Sequence, residues 1–442
     1  MNSSPAGWCL VKLHELGAWG SGGTPSKGNA AYYQGNVPWA VIGDLNDDLL
    51  LETANKISAA GLANSSAKLI PAGALLIAMY GSIGKLAIAG IECSTNQAIA
   101  FCIVDNEIID TKYIFYALKW ARSELVKLGQ GASQQNISQT ILKSFEVPLA
   151  PKTEQTRIAA KLEELLAQVD TLKSRIDSIP TLLKHFRQSV LASAISGRLT
   201  EEWRKKDAEF SVTTIGKICT VSTGKTPKRS QAEYWKGGDI PWLTSALTSS
   251  KFCSESEQFV TKLALKECAL KLYQPGTLLM AMYGEGKTRG QVTELKIAAT
   301  CNQACAAISV NEMLANKDFV KIRLLENYEA VRKQAVGGAQ PNLNLEKVRE
   351  ITICLPSMEE QAEIVHRVEQ LFAFADQLEV RIKATQTRIN RLTQSILAKA
   401  YRGELVSQDP NDEPASVLLD RIKVQRAAAP NAKRSRRSAM AG

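Results

Sequence analysis

The chain repeats itself, and that limits what it can fold into more than any other feature. The stretch LLIAMYGSIGK (75–85) returns as LLMAMYGEGK (278–287), so that Gly73, Met79, Tyr80 and Gly81 match Gly276, Met282, Tyr283 and Gly284 at an offset of 203. Upstream, GGTPSKGNAAYYQGNVPW (22–39) matches TGKTPKRSQAEYWKGGDIPW (223–242), and TNQA (95–98) is echoed by CNQA (301–304). Further on the offset settles at 206, relating Gln134 to Gln340, Asn136 to Asn342, Gln155 to Gln361, Asp170 to Asp376, Ile176 to Ile382 and Gly197 to Gly403. A long duplication announces architecture before any local reading does. Two copies of about 206 residues fill the 442-residue chain, which is longer than one hydrophobic core usually covers.

Each copy changes character part-way. Its first part holds short apolar runs such as VPWAVIGD and QAIAFCIV, bounded by Gly, Pro, Asn and Asp, which read as strands. TKYIFYALKWARSELVKL (111–128) is the best helix candidate there, with Ile114, Ala117, Leu118, Ala121, Leu125 and Leu128 on one face. In the second part Ile158, Leu162, Leu165, Val169, Leu172, Ile176, Ile179, Leu183, Phe186 and Val190 alternate steps of four and three, the seam of packed helices. The other copy repeats it with Ile364, Val368, Leu371, Ala375, Leu378, Ile382, Thr385, Ile389, Leu392 and Ile396, opened by the capping box Ser357-Met-Glu-Glu360. Pro180 predicts a kink or short break in the first rod only, and Gly197 and Gly403 end the two helices.

A lone helix with an apolar seam is unstable, so two of matched length should pair. With pseudo-two-fold symmetry they run antiparallel. The expected fold class is α+β: two mixed α/β domains, at 1–152 and 206–356, separated by long heptad-patterned helices at 153–205 and 357–405, with a basic flexible tail at 406–442. From Ile158 to Val190 is about 48 Å of helix, commensurate with the ~34–36 Å between DNA half-sites one turn apart.

The formal charge is +10, but residues 421–442 hold seven Lys or Arg and no acid, leaving +3 for the rest. That tail reads either as a solvated end or as a nonspecific nucleic-acid contact. No apolar run approaches the ~20 residues of a membrane helix and the N-terminus lacks the order of a signal peptide, so a cytoplasmic location is expected. Nine scattered cysteines fit a reducing compartment better than a disulfide framework.

Taken together, GGTPS…YYQGNVPW and PAGALLIAMYGSIGK with their twins, STNQAIA, GASQQNIS, GGAQPNLN and the Glu-Gln opening each heptad helix resemble the specificity subunits of Type I restriction-modification systems. The resemblance covers nearly the whole chain. It implies two target-recognition domains, each reading half of a bipartite sequence in double-stranded DNA. It also implies helical regions that space them and dock two adenine-methylating modification subunits, to which restriction subunits join. No catalytic centre is implied in the chain itself; S-adenosylmethionine, ATP and Mg belong to the partners.

The residues speak against much other chemistry. A phosphate-binding loop at Gly284–Thr288 would need a glycine where Ala281 stands, and Arg289-Gly290 follows where an apolar helix should begin. No Pro-Pro pair exists for an adenine methyltransferase motif. Cys301 and Cys305, with Cys253 or Cys268, lack the paired spacing of a structural zinc site. His14, His185 and His366 are far apart and read as surface residues. Two other readings stay open, a coiled-coil scaffold with protein-binding domains and an ATP-binding enzyme. For DNA, where Asn and Gln bond adenine, Arg and Lys bond guanine, and phosphates accept most donors, the candidates are the repeated polar loop residues. These are Thr24, Ser26, Lys27, Tyr80, Ser82, Lys85 and Gln134 in the first copy, and Thr226, Lys228, Arg229, Tyr283, Lys287, Arg289 and Gln340 in the second. Asn96, Gln97, Asn302 and Gln303 read equally well as turn residues, and Trp39 and Trp242 read better as core.

Overall fold

The structure is a computed structural model that describes residues 5–106, 109–129, 136–204, 210–283, 288–328 and 343–428. The chain divides into two compact units, Met1–Ile176 with Ala384–Gly442, and Asp177–Lys383. Both boundaries fall inside the long helices. Each unit therefore holds one mixed domain, the start of the helix that follows it and the end of the other helix.

The two mixed domains share one topology. In the first unit a five-stranded sheet is ordered Gly17–Ser21, Ile99–Val104, Leu75–Ala78, Leu86–Ala89, Asp48–Leu50, and a three-stranded sheet Asn55–Ile57, Val37–Ala40, Ser94–Thr95. In the second the orders are Cys219–Thr223, Cys305–Val310, Leu278–Ala281, Val292–Leu295, Phe252–Cys253 and Phe259–Val260, Ile240–Leu243, Thr300–Cys301. The central strands LLIA and LLMA are buried on both faces, which is why they read as unbroken apolar runs rather than alternating ones. The expected helix at 111–128 divides into Thr111–Trp120 and Arg122–Lys127 around Ala121.

A short antiparallel pair, Cys9–Lys12 with Glu146–Leu149 and Ser211–Thr214 with Thr352–Leu355, delivers each domain to its long helix. The helices run Lys152–Ile195 and Met358–Tyr401, 44 residues each, and the first continues through Pro180 without a break. Left-handed glycines at 197 (φ 72°) and 403 (φ 73°) follow them. In the first unit Ile158, Leu162 and Leu166 share a core with Leu397, Ala400 and Tyr401. In the second, Val190, Leu191 and Ala194 share one with Ile364 and Val368, while Arg187 bridges Asp376 (2.8 Å) and Glu379 (3.1 Å). Within each unit the start of one helix thus meets the end of the other, the antiparallel sense. The seam differs from expectation in places: Leu166 is buried more deeply than Leu165, and Leu172 and Leu392 are exposed.

The repeated Glu-Gln has a structural role. Gln155 accepts a bond from the Asp110 amide (3.0 Å) and donates to the Ala150 carbonyl (2.9 Å); Gln361 does the same with Asn316 (2.8 Å) and Pro356 (2.9 Å). Both side chains are buried. The expected capping box is only half formed. Ser357 Oγ accepts the Glu360 amide (3.2 Å), but the Glu360 carboxylate turns instead to Thr200 (2.7 Å) and Arg204 (2.9 Å), because in this buried setting a charged partner offsets more desolvation than a backbone amide.

The tail expected to be flexible carries a helix, Ala415–Ala428. Its Ala415, Leu418 and Leu419 enter the first core, the Ala415 amide bonds the Gly7 carbonyl (2.8 Å) and Asp412 pairs with Arg157 (2.6 Å). These three apolar side chains lie just before the basic run and are enough to dock one turn. Residues 429–442 lie outside the described part.

The copies differ most sharply at one core position. Ile88 packs against the first core, whereas its counterpart Glu294 is 2 % exposed and meets Lys296 (2.8 Å), Lys317 (2.9 Å) and Lys321 (3.1 Å). Burial alone would raise its pKa, but the three ammonium groups outweigh that and hold it at about 2.

Two predictions follow from these contacts. Gln361→Ala, which strands the half-buried Asn316 amide, should cost about 1–3 kcal/mol and lower the thermal unfolding temperature. Because the Glu294 carboxyl is depressed in the folded state, its contribution is fully present above the ordinary glutamate range near 4.3 and is lost as pH falls toward 2. The stability gap between wild type and Glu294→Gln should therefore shrink between pH 5 and pH 2, measured by denaturant unfolding; a constant gap would contradict the assignment.

Candidate nucleic-acid interface

Three loops leave each mixed domain at the same end of its five-stranded sheet. In the first unit Ala78 pairs with Ile99, and one step beyond, the Met79 amide donates to the Ala98 carbonyl (2.8 Å), so the turn 79–85 and the loop 95–98 emerge side by side. The third loop is tied in through Gly22 N to Ile99 O (3.2 Å) and Gly23 N to Thr95 O (2.9 Å). The second unit repeats the arrangement with Met282 N to Ala304 O (2.8 Å). A side chain is impossible where the loops cross: a Cβ on Gly22 would lie 2.0 Å from the Thr95 carbonyl oxygen, and one on Gly224 1.7 Å from that of Cys301.

The tryptophans are buried, and each uses its indole N–H to hold the crossing loop. Trp39 donates to Gly23 O (3.1 Å) and Trp242 to Lys225 O (3.0 Å). Asn96 and Asn302 shape their turns, each accepting the amide two residues on (3.1 Å in both). At the crossing lies a threonine–glutamine pair, Thr24 with Gln97 and Thr226 with Gln303 (2.5 Å for the second), exposed except for the half-buried Thr24. Gln97 and Gln303 were indistinguishable from turn residues in sequence; their only signal was recurrence.

Around this pair the structure brings together most of the described candidates. Ser26 and Lys27 are exposed on the loop that Thr24 begins, as are Lys228 and Arg229 on its twin. Tyr80 and Tyr283 are about equally exposed, 38 % and 37 %. Ser82 is exposed in a tight turn whose amides bond inward, Gly84 N to Ala78 O (3.0 Å) and Lys85 N to Ser82 O (3.1 Å), while the Lys85 side chain is half-buried. Such a turn spends its amides on its own carbonyls rather than on a phosphate. Arg289 is half-buried, and Gly290 N closes on Ala281 O (2.8 Å). Gln134, Lys287 and Gln340 lie outside the described residues, as does most of the loop Gly284–Thr288. Next to Gln134, Asn136 bridges to Tyr80 and so reaches the same end of the sheet.

One contributor gave no sequence signal. Arg122, from the second half of the divided helix, donates to the Gly84 carbonyl (2.8 Å) and forms two bonds to Asp47 (2.8 and 2.5 Å). Burial works against the Asp47 carboxylate, but the guanidinium keeps its pKa below the ordinary value. The pair braces the turn 81–85 beside a hollow of about 260 Å³. Cys301 and Cys305 are buried, and a hydrogen bond with the Cys301 thiol, together with burial, pushes the Cys305 thiol upward.

A family model for the Type I restriction modification DNA specificity domain matches residues 5–181 and again 207–386. The chain belongs to that family. Among relatives of this specificity family, the StySPI specificity subunit of Salmonella potsdam is 31 % identical over 404 residues, spanning 86 % of each chain. The EcoKI specificity subunit of Escherichia coli K12 is 31 % identical over 409 residues, spanning 85 % of this chain and 86 % of that one. The fold is similar to that of the HsdS subunit from Thermoanaerobacter tengcongensis, with TM-score 0.59 and 18 % identity over 91 % of this chain and 98 % of that one. A chain from a type I R-M complex is similar at TM-score 0.72 and 17 % identity, covering 92 % of this chain and all of that one. Among the described residues no helix is long and apolar enough to cross a membrane.

If the indole bonds hold the recognition loops, Trp242→Phe keeps the apolar packing but frees Lys225–Arg229. We expect a loss of stability near 1 kcal/mol and a several-fold loss of DNA affinity in the assembled complex. Equal affinity in a gel-shift titration would contradict the role.

Proposed function

We propose that the chain is the DNA-recognition subunit of a Type I restriction-modification complex. Each mixed domain reads one half of a bipartite target through the loops at that end of its sheet. The helix pair sets the spacer and docks two adenine-methylating modification subunits, with restriction subunits joining that core. The observation that carries this reading is the same loop constellation built twice, on one topology, each copy leading through a buried glutamine into a 44-residue helix. The exposed threonine, glutamine, lysine, arginine and tyrosine side chains there are donors suited to phosphates and base edges.

The chain contributes recognition and no catalysis. S-adenosylmethionine, ATP and Mg are taken by the partner subunits. Leu172, Leu182, Phe374, Val380 and Leu392 remain exposed on the long helices, and apolar side chains in that setting favour a helical partner. The nine cysteines form no disulfide, in keeping with action in the cytoplasm.

The assembled complex should bind duplex DNA with log K falling linearly in log salt, as phosphate contacts release counterions. Binding that does not respond to salt, or none at all, would sink the reading. Inserting one heptad in both long helices at matched positions keeps the seam and adds about 10 Å, close to three base pairs at ~3.4 Å each. The recognised spacer should lengthen accordingly while both half-sites stay the same.

A further inference from the structure

The two recognition domains share a scaffold but not what it presents. In the first, the position after Ser26 is Lys27, exposed, with Tyr33 and Trp39 edge to face behind the loop at 6.0 Å. In the second it is Arg229, and the aromatic pair is Trp235 and Trp242, perpendicular at 5.0 Å. The Arg229 guanidinium lies 3.9 Å from the Trp235 ring centre and 4.8 Å from that of Trp242, and its Nη2 donates to Gln258 Oε1 (2.7 Å). The cradle is itself fixed: Trp235 Nε1 donates to Lys228 O (3.2 Å), Trp242 Nε1 to Lys225 O (3.0 Å), and the Trp242 amide to Gln258 O (2.9 Å).

A free surface arginine loses much rotamer freedom on binding, whereas one already laid against aromatic rings loses little. The guanidinium has five N–H donors in a planar fork, of which Gln258 takes one. The residue stays solvent-exposed on the loop that crosses Gln303. A rigid, planar, two-pronged donor matches the O6 and N7 acceptors of guanine in the major groove, and a lysine on the same loop cannot reproduce that fork.

We infer that Arg229, positioned by Trp235, Trp242 and Gln258, reads a guanine in the half-site of the second recognition domain. At the same position of the first domain Lys27 offers a point charge in place of that planar fork. The inference rests on the function proposed above and adds a base identity to one of its two halves.

The test uses the assembled complex of specificity and modification subunits. Duplexes bound by wild type, Arg229→Lys and Gln258→Ala are selected from a pool randomised over the target. Wild type should show guanine at one position of one half-site, with about a ten- to a hundredfold preference. Arg229→Lys should reduce that preference to a few-fold at that position alone and leave the other half-site intact; Gln258→Ala should weaken it partly. If affinity instead falls uniformly over all sequences and the salt slope drops by about one, Arg229 meets a phosphate and the inference is wrong. Unchanged selection with lowered thermal stability would make the cradle purely structural, which also overturns it. A wild-type complex that selects no sequence would refute the underlying function rather than this residue's role.

Discussion

Two buried glutamines join sheet to rod, and the rest of the architecture depends on them. Gln155 and Gln361 each span the last residues before a long helix and the loop that begins a domain helix, satisfying one half-buried amide and one buried carbonyl. Leaving such groups unpaired costs about 1–3 kcal/mol apiece, so the join has a narrow range of geometries. A recognition loop is useful at a fixed distance from its twin only if the domain cannot pivot on its helix. The glutamine supplies that stiffness by chemistry the heptads lack, since apolar seams tolerate small rotations and directional bonds do not.

At the opposite end of each domain the constraint is close approach. Gly22 and Gly224 let one loop cross another at contact distance, and an indole N–H fastens the crossing. With the backbone and the loop crossing fixed, the copies vary at outward-pointing side chains and at one core position, Ile88 against Glu294. The duplication separates these two kinds of position. Glycine, tryptophan, asparagine and the threonine–glutamine pair recur, while Lys27 against Arg229 and Ile88 against Glu294 do not.

The sequence made the duplication, the long helices, the α+β class and the loops at the sheet end legible because each leaves a periodic or repeated trace. The limits were physical as well. Heptad spacing marks which face is apolar but not which leucines find partners, so Leu172 and Leu392 looked like Ile158 and proved exposed. Ser357 and Glu360 spell a capping box, yet Arg204 and Thr200, about 160 residues away, claim the carboxylate. Arg122 braces a turn 38 residues before it with no local motif. Three candidate side chains, Thr24, Thr226 and Arg229, were found at that end with defined partners; Gln97 and Gln303 were legible only as repeats.

The central claim is that two equivalent sets of loops read two separate half-sites. Mapping methylated adenines across the genome of cells carrying the complete system tests it most directly. The account predicts one motif made of two short defined blocks, separated by a fixed run of unspecified bases, with one methylated adenine in each block. A single continuous motif, or defined blocks at variable separation, would contradict it.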